Sequence, residues 1–490
     1  MTGAPGPGPE ELRAALHRAA DWVVDMLESQ ESRPVGSSVE PGEIAAALPA
    51  HPPRSGEPLD AMLDDVDRVL MPGITHWNHP GFMAYFGISG SPPGILGELI
   101  AAALNVNPML WRTSPAATEL EQVALRWARE LIGLPAGWFG EITDGASAST
   151  LYALAAAREA AGVDVRRAGM AGRPELPVLR VYASAEAHSS VEKACITLGL
   201  GQAGLVKIPT DEEFRMRADL LAGAVARDVA DGVRPIAAVA TVGTTSSTSI
   251  DPVPAVADIC AEHGMWLHVD AAYGGAAAVV PAMRHVLDGC DRADSVVVNP
   301  HKWLLTPIDC SMLFTARPDD LRAAFSLVPE YLTSEHDEVV NLMDYGVSLG
   351  RRFRALKLWM VLRGYGAQGL AEIIQGHIDC ARTLAGWVEA EPGWELLAPV
   401  PFSTVNMRHR PPGMRDEAAL RAHNAGLLEH VNASGEAFIS HTELAGRYAI
   451  RVAIGNLRTE LRHVRRVWDL LREAAAADEP ARPSSEPGRS

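Results

Sequence analysis

The sequence predicts an α/β fold with a mostly parallel central sheet. In the middle of the chain, short runs of β-branched or apolar residues alternate with segments of helix length. These runs are mostly apolar rather than alternating with polar residues, which is typical of parallel strands covered by helices on both faces. The predicted strands are Val178–Ala183, Gly204–Ile208, Ile236–Val242, Met265–Val269, Ser295–Val298 and Met312–Thr315.

The first 90 residues predict helices without a core of their own. An apolar stripe with helical spacing covers Leu12–Met26, and a second covers Leu59–Leu70 and ends at Pro72-Gly73. Between them, residues 33–57 are rich in Pro, Gly and Ser. The apolar faces of these helices must therefore pack against another domain or another subunit.

Further along, Ser114 as N-cap and Pro115 in the first turn begin a predicted helix. After Gly364 helices dominate, with one predicted strand at Tyr448–Ile454 and a last helix from Thr459 to about Ala475. We therefore expect an N-terminal helical segment, a large domain, a small domain and a disordered tail, at residues 1–90, 91–364, 365–476 and 477–490.

Composition narrows the classes of function. The chain has 490 residues, 21% of them charged, with a net charge of −18 that opposes binding to a nucleic-acid backbone. It has no apolar run of the roughly 18–20 residues that cross a membrane, and its first residues do not resemble a secretory signal. Its five cysteines are scattered without a CxxC pair, so we expect a cytoplasmic protein without a metal site.

Lysine is rare in this chain. Of 43 basic residues only four are lysine. A coding bias toward arginine explains the skew, yet a lysine that survives it can do what guanidinium cannot, which is to lose its proton and react as an amine. The candidates for such a reactive lysine are Lys193, Lys207, Lys302 and Lys357.

Several polar residues follow predicted strands, where ligands gather in an open α/β sheet. Asp270 ends one strand, and His301-Lys302 follows the next. Thr244-Thr245 follows a third, and the Gly/Ser turn at 143–150 enters a helix whose first N–H groups can bind an anion. Taken singly, Asp270 could be an ordinary loop carboxylate and Ser147 a simple N-cap.

Taken together, these residues match the needs of pyridoxal phosphate (PLP). Its phosphate needs a cradle, its ring nitrogen a carboxylate and its aldehyde a lysine. An aromatic side chain can cover the ring, and the strand Val178–Ala183 leads to His188 in a suitable place.

Longer motifs carry a family resemblance over nearly the whole chain, from about Glu10 to Ala475. The chain resembles the group II PLP-dependent decarboxylases, in the aromatic-L-amino-acid decarboxylase branch. The motifs are Met71-Pro72-Gly73-Ile74-Thr75-His76-Trp77, Ala187-His188-Ser189-Ser190-Val191-Glu192, His268-Val269-Asp270-Ala271-Ala272-Tyr273, Asn299-Pro300-His301-Lys302-Trp303-Leu304-Leu305 and Gly350-Arg351-Arg352-Phe353-Arg354-Ala355-Leu356-Lys357.

The resemblance implies a fold-type-I, aspartate aminotransferase-like enzyme with a seven-stranded sheet and a small C-terminal α+β domain. It implies a homodimer with the active site at the interface, in which the N-terminal segment wraps the partner. It also assigns roles. The catalytic residues are Lys302, Tyr331, His301, His188 and Asp270. The cofactor-binding residues are Ala146, Ser147, His188, Thr245, Asp270, Ala272, Asn299, His301 and Lys302. The substrate-binding residues are Trp77, Tyr85, Phe86, Ile88, Asn107, Met109 and His188.

Three departures concern the substrate pocket. Human-type members have Phe-Pro-Thr where this chain has Phe86-Gly87-Ile88, so a hydroxyl is lost unless Ser89 replaces it. The segment before Gly350 is about three residues shorter, with Gly346 in place of a familiar arginine. Asn107 and Met109 replace more apolar or aromatic residues that the family contributes across the dimer.

The predicted reaction is decarboxylation of an aromatic L-amino acid to its amine and CO₂. One alternative is an aromatic aldehyde synthase, which a Phe in place of Tyr331 would favour; another is decarboxylation of a non-aromatic amino acid. An aminotransferase would need a carboxylate-binding arginine, for which Arg451 is a weak candidate. A catalytically silent scaffold is the alternative from a different class, and it is disfavoured because every cofactor-binding residue type is present.

Overall fold

The computed structural model describes residues 6–327 and 339–478. Its central sheet has seven strands in the order β1-β7-β6-β5-β4-β2-β3. They are β1 (Phe139–Thr143), β2 (Leu179–Ser184), β3 (Leu205–Ile208), β4 (Arg234–Thr241), β5 (Trp266–Asp270), β6 (Ser295–Val298) and β7 (Ser311–Thr315). The α/β fold with a mostly parallel sheet is confirmed.

Strand direction sets where the site lies. The neighbours from β6 to β3 are all parallel, and only β7 runs antiparallel to both of its neighbours, β6 and β1. Each of the six predicted runs overlaps a strand. Strand β1 was not predicted, because Phe139–Thr143 carries Gly140 and Glu141 and lacks a continuous apolar run. The carboxyl ends of β4, β5 and β6 meet at one edge of the sheet.

Helices cover both faces of this sheet and extend from its ends. They are α1 (Pro9–Glu28), α2 (Glu43–Ala47), α3 (Leu59–Asp65), α4 (Pro92–Leu104), α5 (Pro115–Ile132), α6 (Ala146–Ala160), α7 (Val165–Ala168), α8 (Ser189–Thr197), α9 (Ala218–Ala230), α10 (Val253–His263), α11 (Pro300–Trp303), α12 (Pro318–Phe325), α13 (Arg354–Ala390), α14 (Glu417–Ala433) and α15 (Leu461–Asp478). The long α13 is interrupted at Gly366, where φ is +65°. Among residues 6–327 and 339–478, no helix is both long and apolar enough to cross a bilayer.

A second sheet of four antiparallel strands lies in the C-terminal part, in the order β10-β11-β9-β8. They are β8 (Trp394–Leu396), β9 (Thr404–His409), β10 (Ser440–Leu444) and β11 (Arg447–Ala453). Only β11 was predicted. The other three are short or carry polar residues at alternate positions, so their pattern resembles that of loops.

The N-terminal segment forms the two predicted helical stripes with local differences. The first stripe is α1, while the second is α3 continued by a π-helical turn at Val66–Leu70 and a 3₁₀ turn at Met71–Gly73. Leu16 and Val24 of α1 are 45% and 53% exposed, so these apolar side chains remain outside the core of this chain.

Ser114 differs from its predicted role. It precedes α5, but its hydroxyl donates to the carbonyl of Asn107 (2.9 Å) and forms no cap bond to the helix. The first turn of α5 therefore depends on Pro115, which needs no N–H partner.

Candidate active site

Lys302 lies on α11, the short turn that follows β6 at the carboxyl edge of the sheet. Its Nζ is 5.2 Å from the ring centroid of Phe86. Burial lowers the pKa of Lys302, the Asp270 carboxylate opposes this, and the Arg451 guanidinium lowers the pKa further. A lowered pKa favours the uncharged amine, which is the nucleophilic form of lysine.

Asp270 is the last residue of β5 and is buried. Its Oδ1 accepts a hydrogen bond from the N–H of Ala272 (3.1 Å), which fixes the carboxylate at the strand end. Within residues 6–327 and 339–478, no arginine or lysine forms an ion pair with Asp270 at 4 Å or less. Its negative charge therefore remains available to a cationic ring nitrogen.

His188 is the N-cap of α8, and its ring is oriented by that helix. The N–H of Ser190 donates to His188 Nδ1 (3.2 Å), and Ser190 Oγ lies 2.9 Å from the same nitrogen. Since Nδ1 accepts, the proton of the neutral ring is on Nε2. Burial lowers the pKa of His188, so the ring is neutral near pH 7.

His301 is also neutral, for the same physical reason. The N–H of Cys310 donates to His301 Nδ1 (2.9 Å), and Asn299 Nδ2 lies 3.3 Å from His301 Nε2. Burial lowers the pKa of His301 to about 4, and the nearby Lys302 lowers it as well. At neutral pH His301 is therefore not in its imidazolium form and cannot act as a cationic acid.

A chain of buried hydroxyl groups joins Asn299 to the turn before α6, and sequence reasoning missed it. Ser311 Oγ donates to Asn299 Oδ1 (2.6 Å) and lies 3.2 Å from Ser149 Oγ, which is 2.8 Å from Thr143 Oγ1. Ser149 was visible in the Gly/Ser turn, but nothing in the sequence connected Ser311 to it.

The N-terminus of α6 forms an open anion-binding cradle. Gly145 is the N-cap, and a Cβ placed there would meet no atom of the described chain within 4 Å. The N–H groups of Ala146 and Ser147 belong to the first turn, where no intrahelical acceptor exists. Thr245 is exposed beside a network in which Thr244 Oγ1 lies 2.8 Å from Ser247 Oγ. These groups fit a phosphate.

Phe86 lies on a stack of aromatic rings beneath Lys302. Its ring centroid is 3.8 Å from that of Tyr273, and the ring of Tyr273 is 4.8 Å from that of Trp303. Arg451 of β11 also contacts Phe86, with Cζ 4.8 Å from the ring centroid. Phe86 was predicted to line the substrate pocket, but its contacts with Lys302 and Arg451 were not predicted.

The other predicted substrate residues are distributed over two regions. Trp77 and Ile88 line a cleft of about 550 Å³ together with Met71, Ile74, Ile95 and Pro307. Tyr85 stacks on Trp77 at 5.5 Å and is 52% exposed. Ser89 does not replace the lost threonine, because its hydroxyl accepts from the N–H of Leu457 (3.1 Å) and is buried.

Asn107 and Met109 have no described contact with Lys302. The Oδ1 of Asn107 accepts from the N–H of Arg351 (2.9 Å), and the carbonyl of Met109 accepts from the N–H of Met343. Asn107 lies on a separate cleft of about 620 Å³ that includes Gly350 and Arg351. Tyr331, the predicted proton donor, lies outside the described residues.

Comparison with known proteins agrees with this geometry. Residues 41–410 match the pyridoxal-dependent decarboxylase conserved domain. Tyrosine decarboxylase 4 of Petroselinum crispum is 40% identical over 96% of this chain and 94% of its own length. Phenylacetaldehyde synthase of Arabidopsis thaliana is 40% identical over 95% of this chain and 96% of its own.

A solved structure extends the similarity to the whole fold. The crystal structure of Oryza sativa TDC with PLP and tryptamine superposes with a TM-score of 0.92 at 37% identity, covering 97% of this chain and 99% of that one. The open cradle at α6, the carboxylate ending β5 and the lysine after β6 are the groups that PLP requires. PLP is accordingly the cofactor of this enzyme, and the chain belongs to the pyridoxal-dependent decarboxylase family.

Proposed function

We propose that this enzyme converts an aromatic L-amino acid to the corresponding amine and CO₂. The observation that carries the reaction is the placement of Lys302 and Asp270 at adjacent strand ends, beside a helix N-terminus that fits a phosphate. The aromatic substrate class is supported by tyrosine decarboxylase, which is 40% identical, and by the rice TDC solved with tryptamine.

The residues of this chain divide the work. Bound PLP supplies an electron-withdrawing ring that can accept the electron pair left by departing CO₂. Lys302 would hold the cofactor through its amine, and Asp270 would keep the proton on the ring nitrogen. His188 and Ala272 would bind the ring. The groups proposed to hold the phosphate are Ala146, Ser147, Thr245 and Asn299.

Proton delivery to the carbon that loses CO₂ is assigned to Tyr331, by its match to the catalytic tyrosine of the family. His301 is held neutral by burial and by the nearby Lys302, both of which lower its pKa. Its role is therefore to orient neighbouring groups by hydrogen bonds rather than to donate a proton from a cationic form.

The substrate side chain would lie among aromatic and aliphatic groups. Trp77, Tyr85 and Phe86 offer ring faces, and Ile88 presents an apolar surface where human-type members have a hydroxyl. With Ser89 bonded to the backbone of Leu457, neither position 88 nor position 89 offers a hydroxyl to a substrate.

We further propose a cytoplasmic homodimer with a shared active site. An apolar groove of about 470 Å³ lies between α1 and α4, lined by Leu16, Val23, Leu96 and Leu99. Leu96 and Leu99 are each about half exposed in the single chain. Burial of such a stripe by a second copy gains roughly 25 cal/mol per Å² of apolar surface. The dimer would bring Asn107 and Met109 to the partner's Lys302, and the N-terminal segment 1–90 would wrap the partner subunit.

The substrate class is tested by product analysis. The purified, PLP-loaded enzyme is incubated with Trp, Tyr, Phe, Dopa, 5-hydroxytryptophan and, as non-aromatic acids, Glu and cysteine sulfinate. We expect CO₂ and amine from the aromatic acids only, with Lys302→Ala as the inactive control. Faster turnover of Glu or cysteine sulfinate than of any aromatic acid would refute the proposed class.

An aldehyde synthase is the second candidate, because a phenylacetaldehyde synthase is also 40% identical. Tyr331 argues against it. A positioned general acid accelerates proton transfer roughly 10²–10⁴-fold. Tyr331→Phe should therefore still release CO₂ while amine yield falls and aldehyde, ammonia, peroxide and oxygen uptake rise. Wild-type enzyme that already consumes oxygen in proportion to CO₂ would establish the aldehyde synthase instead.

The dimer is tested by sedimentation. We expect the full chain to sediment as a dimer and deletion of residues 1–30 to weaken it. Leu96→Asp in the groove should have the same effect, whereas Val178→Asp, on an exposed apolar residue away from the groove, should not. A fully active monomer would contradict the shared site.

A further inference from the structure

Arg451 is a buried cation that forms no ion pair with the described residues. It lies on β11, and its residue is 5% exposed. Nη1 donates to the carbonyl of Ala84 (2.9 Å), whereas Nε has no hydrogen-bond partner in the described chain. No carboxylate of residues 6–327 or 339–478 forms an ion pair with it. Burial lowers the pKa of Arg451 to about 10, which leaves it charged at neutral pH.

Other buried arginines of this protein are paired. Arg351 binds Glu121 (2.6 Å) and Glu141 (3.5 Å), and Arg408 binds Glu395 and Glu417. An unpaired buried charge normally costs several kcal/mol of stability, so it is retained only where it has a use. The position of Arg451 indicates that use.

Arg451 and Lys302 share one aromatic ring. Arg451 Cζ is 4.8 Å from the centroid of Phe86, and Lys302 Nζ is 5.2 Å from it. The stack of Phe86 on Tyr273 fixes the ring, and the bond from Arg451 to Ala84 fixes the segment that carries it. Two basic side chains thus contact the same ring in a buried site, where like charges repel more strongly than in water.

The charged and titratable groups around Lys302 determine whether its amine is protonated. Asp270, at the end of β5, attracts a positive charge on Lys302, and Arg451, on β11, repels it. His188, before α8, and His301, on α11, are neutral because burial lowers the pKa of each. Arg451 is therefore the group that offsets the carboxylate of Asp270.

We propose that Arg451 is a positioning residue that acts through Lys302, holding the lysine as an uncharged amine by placing a fixed positive charge against the same Phe86 ring. An uncharged amine can attack the cofactor's aldehyde carbon at once, whereas an ammonium must first lose a proton. The inference rests on Lys302 being the cofactor-binding lysine. It explains why an arginine, which stays charged at any physiological pH, is used here.

The test measures the protonation of Lys302 directly, in apoenzyme prepared without PLP. Trace acetylation with acetic anhydride is followed from pH 6 to 11, and the label on the tryptic peptide containing Lys302 is quantified against exposed Lys193 as an internal reference. Arg451→Gln keeps a donor for the Ala84 carbonyl but loses the charge. Arg451→Lys keeps the charge. Arg408→Gln is the matched control, a buried arginine on β9 that is paired.

Arg451→Gln should move the labelling midpoint of Lys302 upward by about one pH unit, so that labelling at pH 8 falls about tenfold. Arg451→Lys should stay close to wild type, Arg408→Gln should not move, and Asp270→Asn should move the midpoint downward. Circular dichroism confirms that each variant is folded. If the Arg451→Gln curve superposes on wild type, or if Arg451→Gln changes only KM for the amino acid, the proposal is wrong.

These outcomes are separable from failure of the proposed function. Borohydride reduction of the PLP-loaded enzyme reports which lysine holds the cofactor, independently of how Lys302 titrates in the apoenzyme. A label on another lysine would overturn the cofactor assignment, while the titration result would still measure the effect of Arg451.

Discussion

Lys302 and Lys357 carry the same side chain in opposite environments. Lys357, on α13, is 1% exposed, and its Nζ forms an ion pair with Glu98 of α4. The two helices pack closely here, since a Cβ at Gly97 would lie only 2.6 Å from the Cα of Lys357. Lys302 has Asp270 nearby but forms no ion pair in the described chain. A paired lysine holds the structure together, and an unpaired one remains free to react.

Exchange of each lysine tests this contrast with the largest expected effect. Lys302→Ala should reduce decarboxylation by about 10³-fold or more, because the covalent attachment point of PLP is lost. Lys357→Met should keep PLP and most of the activity while lowering thermal stability. Borohydride reduction of wild-type enzyme should fix PLP on the peptide containing Lys302. PLP fixed at Lys193, Lys207 or Lys357 would contradict the contrast.

Asp270→Asn removes the carboxylate that distinguishes the environment of Lys302. Without its charge the ring nitrogen of PLP loses its proton more easily, so the ring accepts electrons poorly. We expect PLP to bind, as read from its visible absorption, while turnover falls about 10²–10³-fold. Near-native turnover in Asp270→Asn would show that another group holds the ring nitrogen.

The cofactor-binding edge could be predicted from sequence because its signals are local. A run of apolar residues followed directly by Asp270, and another by His301-Lys302, places both at strand ends without knowledge of the rest. The same reasoning located the α6 turn. Strand β1 could not be predicted in this way, since Glu141 in that strand is paired with an arginine 210 residues away.

The contacts that tune Lys302 could not be predicted, because they are made by residues distant in sequence. Arg451 reaches Phe86 and Ala84 from the second sheet, more than 360 residues along the chain. From the sequence, Arg451 was only a weak candidate for binding a substrate carboxylate, and only the fold shows that no carboxylate of the described residues forms an ion pair with it. Ser311 and Ser149 meet in the same way, through the pairing of β7 with β1.

Glu141 is a buried carboxyl group that shares its partner, the Arg351 guanidinium, with Glu121. Burial raises the pKa of Glu141 to about 8, against about 4.3 in an unfolded chain. Between these values the folded protein binds a proton that the unfolded chain has lost, so Glu141 lowers stability as the pH rises from 5 to 8. Glu141→Gln carries no such proton.

The stability of Glu141→Gln relative to wild type should therefore be about 2–4 kcal/mol greater at pH 8 than at pH 5. Urea denaturation at both pH values measures this difference. Glu130→Gln, at an exposed position of α5, is the control and should show no such gain. A constant difference between Glu141→Gln and wild type would mean that Glu141 is ionised throughout.

The smallest effect is expected when the ion pair between Lys357 and Glu98 is broken by substitution of Glu98. Glu98 is partly exposed, and it also binds Arg352 (3.0 Å), whose side chain is 59% exposed. Glu98→Gln leaves the buried ammonium of Lys357 with an amide oxygen in place of a carboxylate. Breaking a fully buried pair costs about 3–5 kcal/mol, and partial exposure of Glu98 reduces this to about 1–2 kcal/mol. Arg352→Ala removes the exposed partner of the same carboxylate, together with its ion pair to Asp309 (3.5 Å), and should cost about 0.5 kcal/mol or less. Urea midpoints of the two variants compare these costs, with product formation measured in parallel.

Activity should persist in both, because neither residue contacts Lys302. Equal costs for the two substitutions would mean that Lys357 does not depend on Glu98, and the contrast between the two lysines would then rest on Lys302 alone.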